Sequence, residues 1–308
     1  MSATTENPTG AAAIRPFTVP VTPENELEAL RARITATRWP DPELVADFSQ
    51  GVQQAVMREL GWGPVRMARA WDVLMKRLGY TRYVAQGGDW GAIVTDLMGV
   101  QAPEGLLGIH SNMAGVVPPD AWTVLVRNVL GAGGPPPSGL SEEESRTFEQ
   151  LSLFFTTGVG YGVQMGTRPQ TMYGLADSPV TLASWMINHD ASSYADIADA
   201  FAGHPVGGLT RDEILDNVTF YWLTNTGVSS ARLYWENTVG FFDVKGVSIP
   251  AAVSTFANEI YKVPRSWAER AYPNLIYFNE VEKGGHFAAW EQPELFSQEI
   301  RAAFHSIR

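Results

Sequence analysis

Apolar residues recur every three or four positions in three segments near the N-terminus, 25–36, 52–60 and 64–78. This spacing places them on one stripe of an α-helix. The third segment is the most regular. It has Pro64 at its first position, where the missing N–H is tolerated, and Gly79 at its end. We therefore predict three helices before residue 80.

Beyond residue 80, short apolar runs alternate with helical periodicity. Runs typical of buried strands occupy residues 82–86, 106–112, 247–255 and 274–281, and helical spacing occupies 90–100 and 292–304. Strands that alternate with helices predict an α/β fold with a parallel sheet.

The long stretch between the second and third of these strands, residues 118–240, has a mostly helical pattern. Two capping boxes mark helix starts within it, one formed by Ser141 with Glu144 and one by Thr210 with Glu213. A helical block inserted at this point predicts a lid over the sheet. The predicted division is a core of residues 61–117 and 241–308 and a lid of residues 118–240.

The composition narrows the possible chemistry. The chain has 308 residues, of which 45% are hydrophobic, enough for a sizeable core. It contains no cysteine, which excludes disulfides, thiolate metal sites and cysteine nucleophiles. Its net charge of −11 argues against nucleic acid, because phosphate binding requires clustered Lys and Arg. We expect neither a cofactor nor a metal.

The first residues give an expectation about location. Residues 1–16 lack the basic start and apolar stretch of a signal peptide, and they predict a disordered lead-in. No later stretch approaches the ~20 apolar residues that a membrane helix needs. These features predict a soluble, cytoplasmic protein that does not bind membranes.

One motif carries a candidate nucleophile. The run Gly87-Gly88-Asp89-Trp90-Gly91 lies between a predicted strand and a predicted helix. This is the setting of a nucleophile elbow, in which a sharp turn exposes one side chain and needs small neighbours. An aspartate there attacks carbon as a carboxylate and forms an ester. The alternative is a glycine turn in which Asp89 only caps the following helix.

Two later residues complete a catalytic order. Glu259 and His286 each follow a predicted strand, so both should lie with Asp89 at the carboxyl edge of the sheet. The order nucleophile, acid, histidine is that of α/β-hydrolases. Glu259 would orient the imidazole, and His286 would activate water. Glu282 and Asp243 are alternative acids, and a solvated or structural role is the alternative for the histidine.

Several motifs together resemble one family. RPF, TRWPDPE, GGDWGA, LADSPV, SSARLYWEN and GGHFAAWEQPELF occur in order along residues 15–60 and 62–308. They are similar to segments of epoxide hydrolases of the microsomal and juvenile-hormone type, in the α/β-hydrolase superfamily. The resemblance implies that residues 17–60 form that family's N-terminal segment. It further implies an apolar epoxide and water as reactants, with a role in detoxification or aromatic hydrocarbon catabolism.

The resemblance also implies further site residues. Tyr161 and Tyr234 match the two lid tyrosines that donate to the epoxide oxygen, although each alone reads as a packing residue. The backbone N–H of Trp90 matches one donor of the oxyanion hole. The acid of the family follows a Phe-Pro-x run. Here the run is Phe256-Ala257-Asn258, a small departure that keeps the carboxylate of Glu259.

A larger departure lies between Leu60 and Gly61. The family has there the first strands of the sheet and a His-Gly-x-Pro loop that supplies the second oxyanion donor. This chain contains no such run, and roughly 80 residues are missing at about 30 per βαβ unit. The sheet should therefore be truncated on its N-terminal side, with residues 82–86 at an apolar edge where a second copy could pair.

Three interpretations follow from the sequence. The first is a working epoxide hydrolase that converts an apolar epoxide into a diol. The second is an inactive or poorly folding deletion derivative of such an enzyme. The third is a haloalkane dehalogenase-like hydrolase, which uses the same nucleophile, but the two lid tyrosines favour the epoxide. Aromatic residues of the lid suggest an apolar, aromatic substrate; they are Tyr173, Trp185, Tyr221, Trp222 and Trp235.

Overall fold

The chain forms two compact units, Met1–Arg38 and Trp39–Arg308. The structure, a computed structural model, describes residues 63–129, 134–237 and 239–307, and from the first unit only Ala32 and Ala36. The Ala36 N–H donates to the Ala32 carbonyl over 2.9 Å, a single helical contact. The predicted lead-in, most of the helix at 25–36, the helix at 52–60 and the junction after Leu60 lie outside the described residues.

The described part of the second unit is built on a parallel sheet of four strands in the order β1-β2-β3-β4. The strands are β1 Tyr83–Gly87, β2 Leu106–Ser111, β3 Ala251–Asn258 and β4 Leu275–Gly285. The parallel sheet predicted from the alternating pattern is therefore confirmed. All four carboxyl ends lie at one edge.

The last two strands differ from their predicted bounds. β3 begins at Ala251 rather than at 247, because the preceding residue is a proline and has no N–H for the ladder. It ends at Asn258 rather than at 255, and β4 ends at Gly285 rather than at 281. Glu259 and His286 are consequently the first residues after their strands.

Most residues of the central strands are buried. Residues 251–256 of β3 are all buried, as expected for a parallel strand packed between helices. The helices that cover the sheet are α1 Pro64–Arg77, α2 Trp90–Gln101, α11 Arg265–Ala271, α12 Ala288–Glu291 and α13 Pro293–Ala303. α1 packs on α2, α2 packs on β1 and β2, and α13 packs on β3 and β4.

Helices joined by loops make up the described part of the stretch between β2 and β3. It contains α3 Pro119–Val129, α4 Glu142–Leu153, α5 Gly160–Thr167, α6 Gly174–Asp177, α7 Pro179–Ile187, α8 Ala191–Phe201, α9 Arg211–Thr224 and α10 Gly227–Glu236. Both predicted capping boxes are confirmed at the starts of α4 and α9. The block has its own apolar core, which includes Met165, Met172, Leu175, Leu182, Val218 and Val228. Its action as a lid stays a prediction.

The described helices do not have the features of membrane-spanning helices. None of them combines the length and the apolar character that crossing a bilayer would require.

Candidate active site

Asp89 occupies a strained turn between β1 and α2. Its φ of 49° and ψ of −126° fall in a region that side-chain-bearing residues rarely adopt. A Cβ on Gly87 would lie 2.1 Å from the Gly91 carbonyl oxygen, and one on Gly88 would lie 2.6 Å from the Asn112 side chain. The glycines therefore permit a turn that presents the Asp89 side chain.

The capping alternative for Asp89 is wrong. Asp89 occupies the N-cap position of α2, but its side chain makes no capping hydrogen bond. Its carboxylate instead faces His286, and 25% of the side-chain surface stays accessible. A carboxylate that is held by the protein on one side and accessible on the other is suited to attack a bound molecule.

His286 lies between two carboxylates. Its Nε2 is 3.1 Å from Oδ2 of Asp89, and its Nδ1 is 2.6 Å from Oε1 of Glu259. The His286 side chain is 5% exposed and that of Glu259 is fully buried. The structure thus brings Asp89, His286 and Glu259 together, and it is Glu259, rather than Glu282 or Asp243, that contacts the imidazole.

The ionic state of His286 follows from this position. Burial lowers its pKa, but the hydrogen bonds with Asp89 and Glu259 and their charges outweigh burial and raise the pKa to about 10. For Asp89 the effects have the opposite signs. Burial raises the pKa of its carboxyl, the hydrogen bond and charge of His286 lower it, and the net effect is a decrease. The resting site therefore holds an ionised Asp89 against an imidazolium.

Gln150 and Glu291, which sequence analysis did not single out, form hydrogen bonds with the backbone around Glu259 and His286. The Gln150 side chain in α4 donates to the Glu259 carbonyl over 2.9 Å and accepts from the Lys262 N–H over 3.2 Å. The buried Glu291 carboxylate accepts from both N–H groups that flank His286, those of Gly285 and Phe287. Gln150 lies 109 residues from Glu259, so its contact leaves no local spacing in the sequence, whereas Glu291 lies only four and six residues from its two donors.

The two predicted tyrosines lie on helices of the inserted block, close enough to Asp89 for its charge to act on both hydroxyls. Tyr161 belongs to α5 and Tyr234 to α10, and their rings are 6.2 Å apart. The Tyr234 ring also packs edge-on against Trp90 at 4.9 Å. Burial and the charge of Asp89 raise the pKa of both hydroxyls well above the ordinary value. Both tyrosines therefore stay protonated and able to donate.

Trp90 is the first residue of α2, so its backbone N–H belongs to the unpaired first turn of a helix. That N–H contributes to the lowered pKa of Asp89 as a hydrogen-bond donor. The donor predicted from the sequence thus lies at the carboxylate on which an ester would form. Its role as an oxyanion donor stays a prediction.

A second histidine, His189, lies at the same point and was missed by sequence analysis. One of its ring nitrogens, one of His286 and a carboxylate oxygen of Asp89 lie within 4.8 Å of one another. The His189 ring is stacked on that of His286, with centroids 4.5 Å apart and planes at 18°. Because nearly parallel rings direct their lone pairs in parallel, the two imidazoles are poorly arranged to share one metal ion. Among the described residues, no other group of three acidic or histidine side chains comes this close together.

A cavity of about 1160 Å³ adjoins the site. Its walls come largely from the inserted block, and Tyr161 and His189 are shared between the cavity and the surroundings of Asp89. Of the five aromatic residues from which the sequence suggested an aromatic pocket, Trp185 lines it. Tyr173, Tyr221 and Trp222 pack on the core of the block, as Trp185 also does, but they do not line the cavity.

Comparison with known proteins gives the arrangement a family context. No model of a protein family matches the chain. A "Putative epoxide hydrolase" of Stigmatella aurantiaca is 45% identical over 249 residues, covering 80% of this chain and 52% of the relative. Epoxide hydrolase 1 of Oryctolagus cuniculus is 34% identical over 272 residues, covering 81% and 56%. The chain spans little more than half the length of these curated relatives.

Solved structures agree. The crystal structure of juvenile hormone epoxide hydrolase from Bombyx mori has a TM-score of 0.65 and 28% identity, covering 81% of this chain and 60% of that one. The epoxide hydrolase of Aspergillus niger has a TM-score of 0.62 and 27% identity, covering 83% and 60%.

The fold is therefore that of an α/β-hydrolase, with an aspartate in the strained turn between β1 and α2. Within that class the chain is a relative of the epoxide hydrolases, as its sequence motifs indicated.

Proposed function

We propose that the protein is an epoxide hydrolase that forms an ester on Asp89 and hydrolyses it with water activated by His286. The observation that carries this proposal is the position of His286, whose two nitrogens contact Asp89 and Glu259 at 3.1 and 2.6 Å. In this arrangement Asp89 can supply a nucleophile, His286 a base, and Glu259 a group that stabilises the protonated base.

In the first step an oxygen of Asp89 attacks one epoxide carbon. The C–O bond of the ring breaks, and its electron pair moves to the epoxide oxygen. Tyr161 or Tyr234 donates its hydroxyl proton to that oxygen. The raised pKa of both hydroxyls supports this role, since each enters the reaction as a protonated donor. The product is a hydroxy ester on Asp89 and a tyrosinate.

Ester formation changes the state of His286. The ester has no charge, so one of the two carboxylates that raise the His286 pKa is lost. The proton of His286 can then pass to the tyrosinate, which restores the phenol and leaves a neutral imidazole. The site thus generates its base after the ring has opened, while Glu259 still holds the Nδ1–H.

In the second step His286 takes a proton from water, whose oxygen attacks the carboxyl carbon of Asp89. Negative charge develops on the carboxyl oxygen, which the Trp90 N–H can stabilise. The bond between the carboxyl carbon of Asp89 and the substrate oxygen breaks. The leaving alkoxide takes the proton of the new carboxylic acid. The products are a diol and an ionised Asp89 beside a protonated His286, as in the resting site.

The helical block and the adjoining cavity suggest the substrate class. We propose that residues 118–240 act as a lid and that the cavity receives the apolar part of an epoxide. Phe154, Met172, Leu175 and Trp185 are among its lining residues. Aromatic epoxides, a role in their detoxification or catabolism, a cytoplasmic location and self-association through β1 stay predictions.

A non-catalytic derivative is the second candidate, favoured by one specific observation. No His-Gly-x-Pro run occurs in the sequence, and within the described sheet β1 pairs only with β2. Loss of one oxyanion donor slows such reactions by about 10²–10³-fold. A derivative that folds but lacks this donor would share ring opening with the enzyme and differ from it in ester hydrolysis, whereas a poorly folding one would perform neither step.

Covalent capture tests the proposal. Intact-protein mass spectrometry after mixing with styrene oxide should show one added substrate mass per chain, mapped by peptide analysis to Asp89. Asp89→Ala should show none, and Asp120→Ala, an exposed residue of α3, should react like the wild type. An equal adduct in Asp89→Ala would remove Asp89 as the nucleophile.

A further inference from the structure

His189 is placed on the reaction centre by a short connection between two lid helices. It lies between α7 and α8. Its ring meets the face of His286, the edge of Phe287 at 5.5 Å and the ring of Tyr161 at 5.1 Å. The side chain is 17% exposed, so these contacts cover most of it. His189, a residue of the inserted block, thus covers one face of the His286 imidazole, which directly follows β4.

Asp190 fixes the orientation of the His189 ring. Its Oδ2 is 3.0 Å from Nδ1 of His189 and accepts the Ser193 hydroxyl, while Oδ1 accepts the N–H groups of Ser192 and Ser193. Burial opposes its ionisation, but the hydrogen bonds from His189 and Ser193 prevail and lower the Asp190 pKa to about 2. The capping aspartate of α8 therefore stays charged and holds Nδ1–H of His189.

The stacked geometry has a physical consequence for His286. The two carboxylates fix the ring nitrogens of His286 but leave its two faces to be held by packing. A flat ring 4.5 Å away and 18° from parallel is an offset stack, which resists rotation of the imidazole out of line with Asp89. A π face is also a favourable neighbour for an imidazolium.

We propose that His189, oriented by Asp190, is a positioning residue that keeps the His286 ring aligned with Asp89 and stabilises its cation by stacking. The stack is needed most after ester formation, when the Asp89 contact to His286 is lost and Glu259 alone holds the ring by a hydrogen bond. Its loss should therefore slow ester hydrolysis more than ring opening. This kinetic part rests on the proposed function, whereas the effect on the resting His286 does not.

The test uses His189→Ala, which removes the stack, and His189→Phe, which keeps a flat ring without its nitrogens. His204→Ala is the matched control, since His204 is an exposed histidine of the same block. NMR of ¹⁵N-histidine-labelled protein should show that His189→Ala lowers the midpoint of His286 titration by about 0.5 to 1 pH unit, as expected from loss of a ring–cation contact. His189→Phe and His204→Ala should titrate within about 0.2 of the wild type, as expected where that contact is kept.

Single-turnover kinetics with styrene oxide supply the second measurement. Ester hydrolysis should be about 10-fold slower in His189→Ala, with ring opening changed by less than about 3-fold, and His189→Phe should recover most of the loss. If no variant reacts with an epoxide, the proposed function fails and the titration still decides the stacking proposal. An unchanged His286 titration in His189→Ala, or a His189→Phe protein that behaves like His189→Ala, would overturn the proposal.

Discussion

Nε2 of His286 lies 3.1 Å from Oδ2 of Asp89, although 197 residues separate them in the chain. The contact forms because β1 and β4 end at the same edge of the parallel sheet, where each strand passes directly into a turn. It makes the charge of each group depend on the other. Several expectations follow from this dependence and from the groups around it.

Ester hydrolysis should be the slow step of the protein as it stands. Rapid mixing with excess chromogenic epoxide should consume about one equivalent per site, followed by turnover about 10²–10³ times slower than in an enzyme with both oxyanion donors. Under the proposed mechanism, ring opening uses Asp89 and a tyrosine hydroxyl, whereas hydrolysis also uses a second oxyanion donor from a His-Gly-x-Pro run, which does not occur in this sequence. Sustained turnover at typical enzyme rates of ~1–10³ s⁻¹ would mean that another group replaces that donor.

Tyr234→Phe should slow ring opening by about 10²-fold, because the opening oxygen loses a proton donor. The burst rate reports this step, and the thermal unfolding midpoint should change little, since the ring that packs on Trp90 is retained. Tyr80→Phe, which removes an exposed hydroxyl, is the control. Equal burst rates in wild type and Tyr234→Phe would withdraw Tyr234 from the reaction and leave Tyr161 as the donor.

The His286 pair should make stability depend on pH. The folded pKa of His286, about 10, exceeds its ordinary value of 6.5, so the folded state binds the proton more tightly. The resulting stabilisation is complete below about pH 6.5 and is lost as the pH rises through about 10. Denaturant titrations of wild type and His286→Gln should show the largest difference near pH 6 and a shrinking one toward pH 10. A difference that grows with pH would contradict the imidazolium assignment.

β1 should mediate self-association. Within the described sheet it has β2 as its neighbour, and Val84 on β1 is an exposed apolar residue. Trp71, Leu78 and Tyr80, which precede β1 in the chain, are also exposed. Light scattering after size exclusion should show a dimer or larger species, which Val84→Lys should convert to monomer. Val180→Lys, at an exposed position of α7, should leave it unchanged. A monomeric wild type would refute the prediction.

The sequence predicted those features that depend on local pattern or on strand ends. The glycines around Asp89 marked the turn, and Glu259 and His286 could be placed because parallel strands end at one edge. His189 could not be placed, because its contact with the site depends on how the inserted block folds back. Glu291 lies only four residues from Phe287, but its residue type did not show that its carboxylate accepts from the backbone N–H groups beside His286. Which of the predicted lid's aromatic residues line the cavity could not be predicted for a related reason. Their type predicts burial but not whether they face the cavity or the core of the block.

The central claim is that Asp89 bonds covalently to the substrate, and isotope labelling in a single turnover tests it most directly. Excess protein is mixed with a limiting epoxide in H₂¹⁸O, and both the diol and the Asp89 peptide are analysed by mass spectrometry. If water attacks the carboxyl carbon of an Asp89 ester, the first diol receives unlabelled oxygen from Asp89 and the label enters the aspartate. Label found in the first diol, with an unlabelled Asp89 peptide, would mean that water attacks the epoxide directly, and would contradict the proposed mechanism.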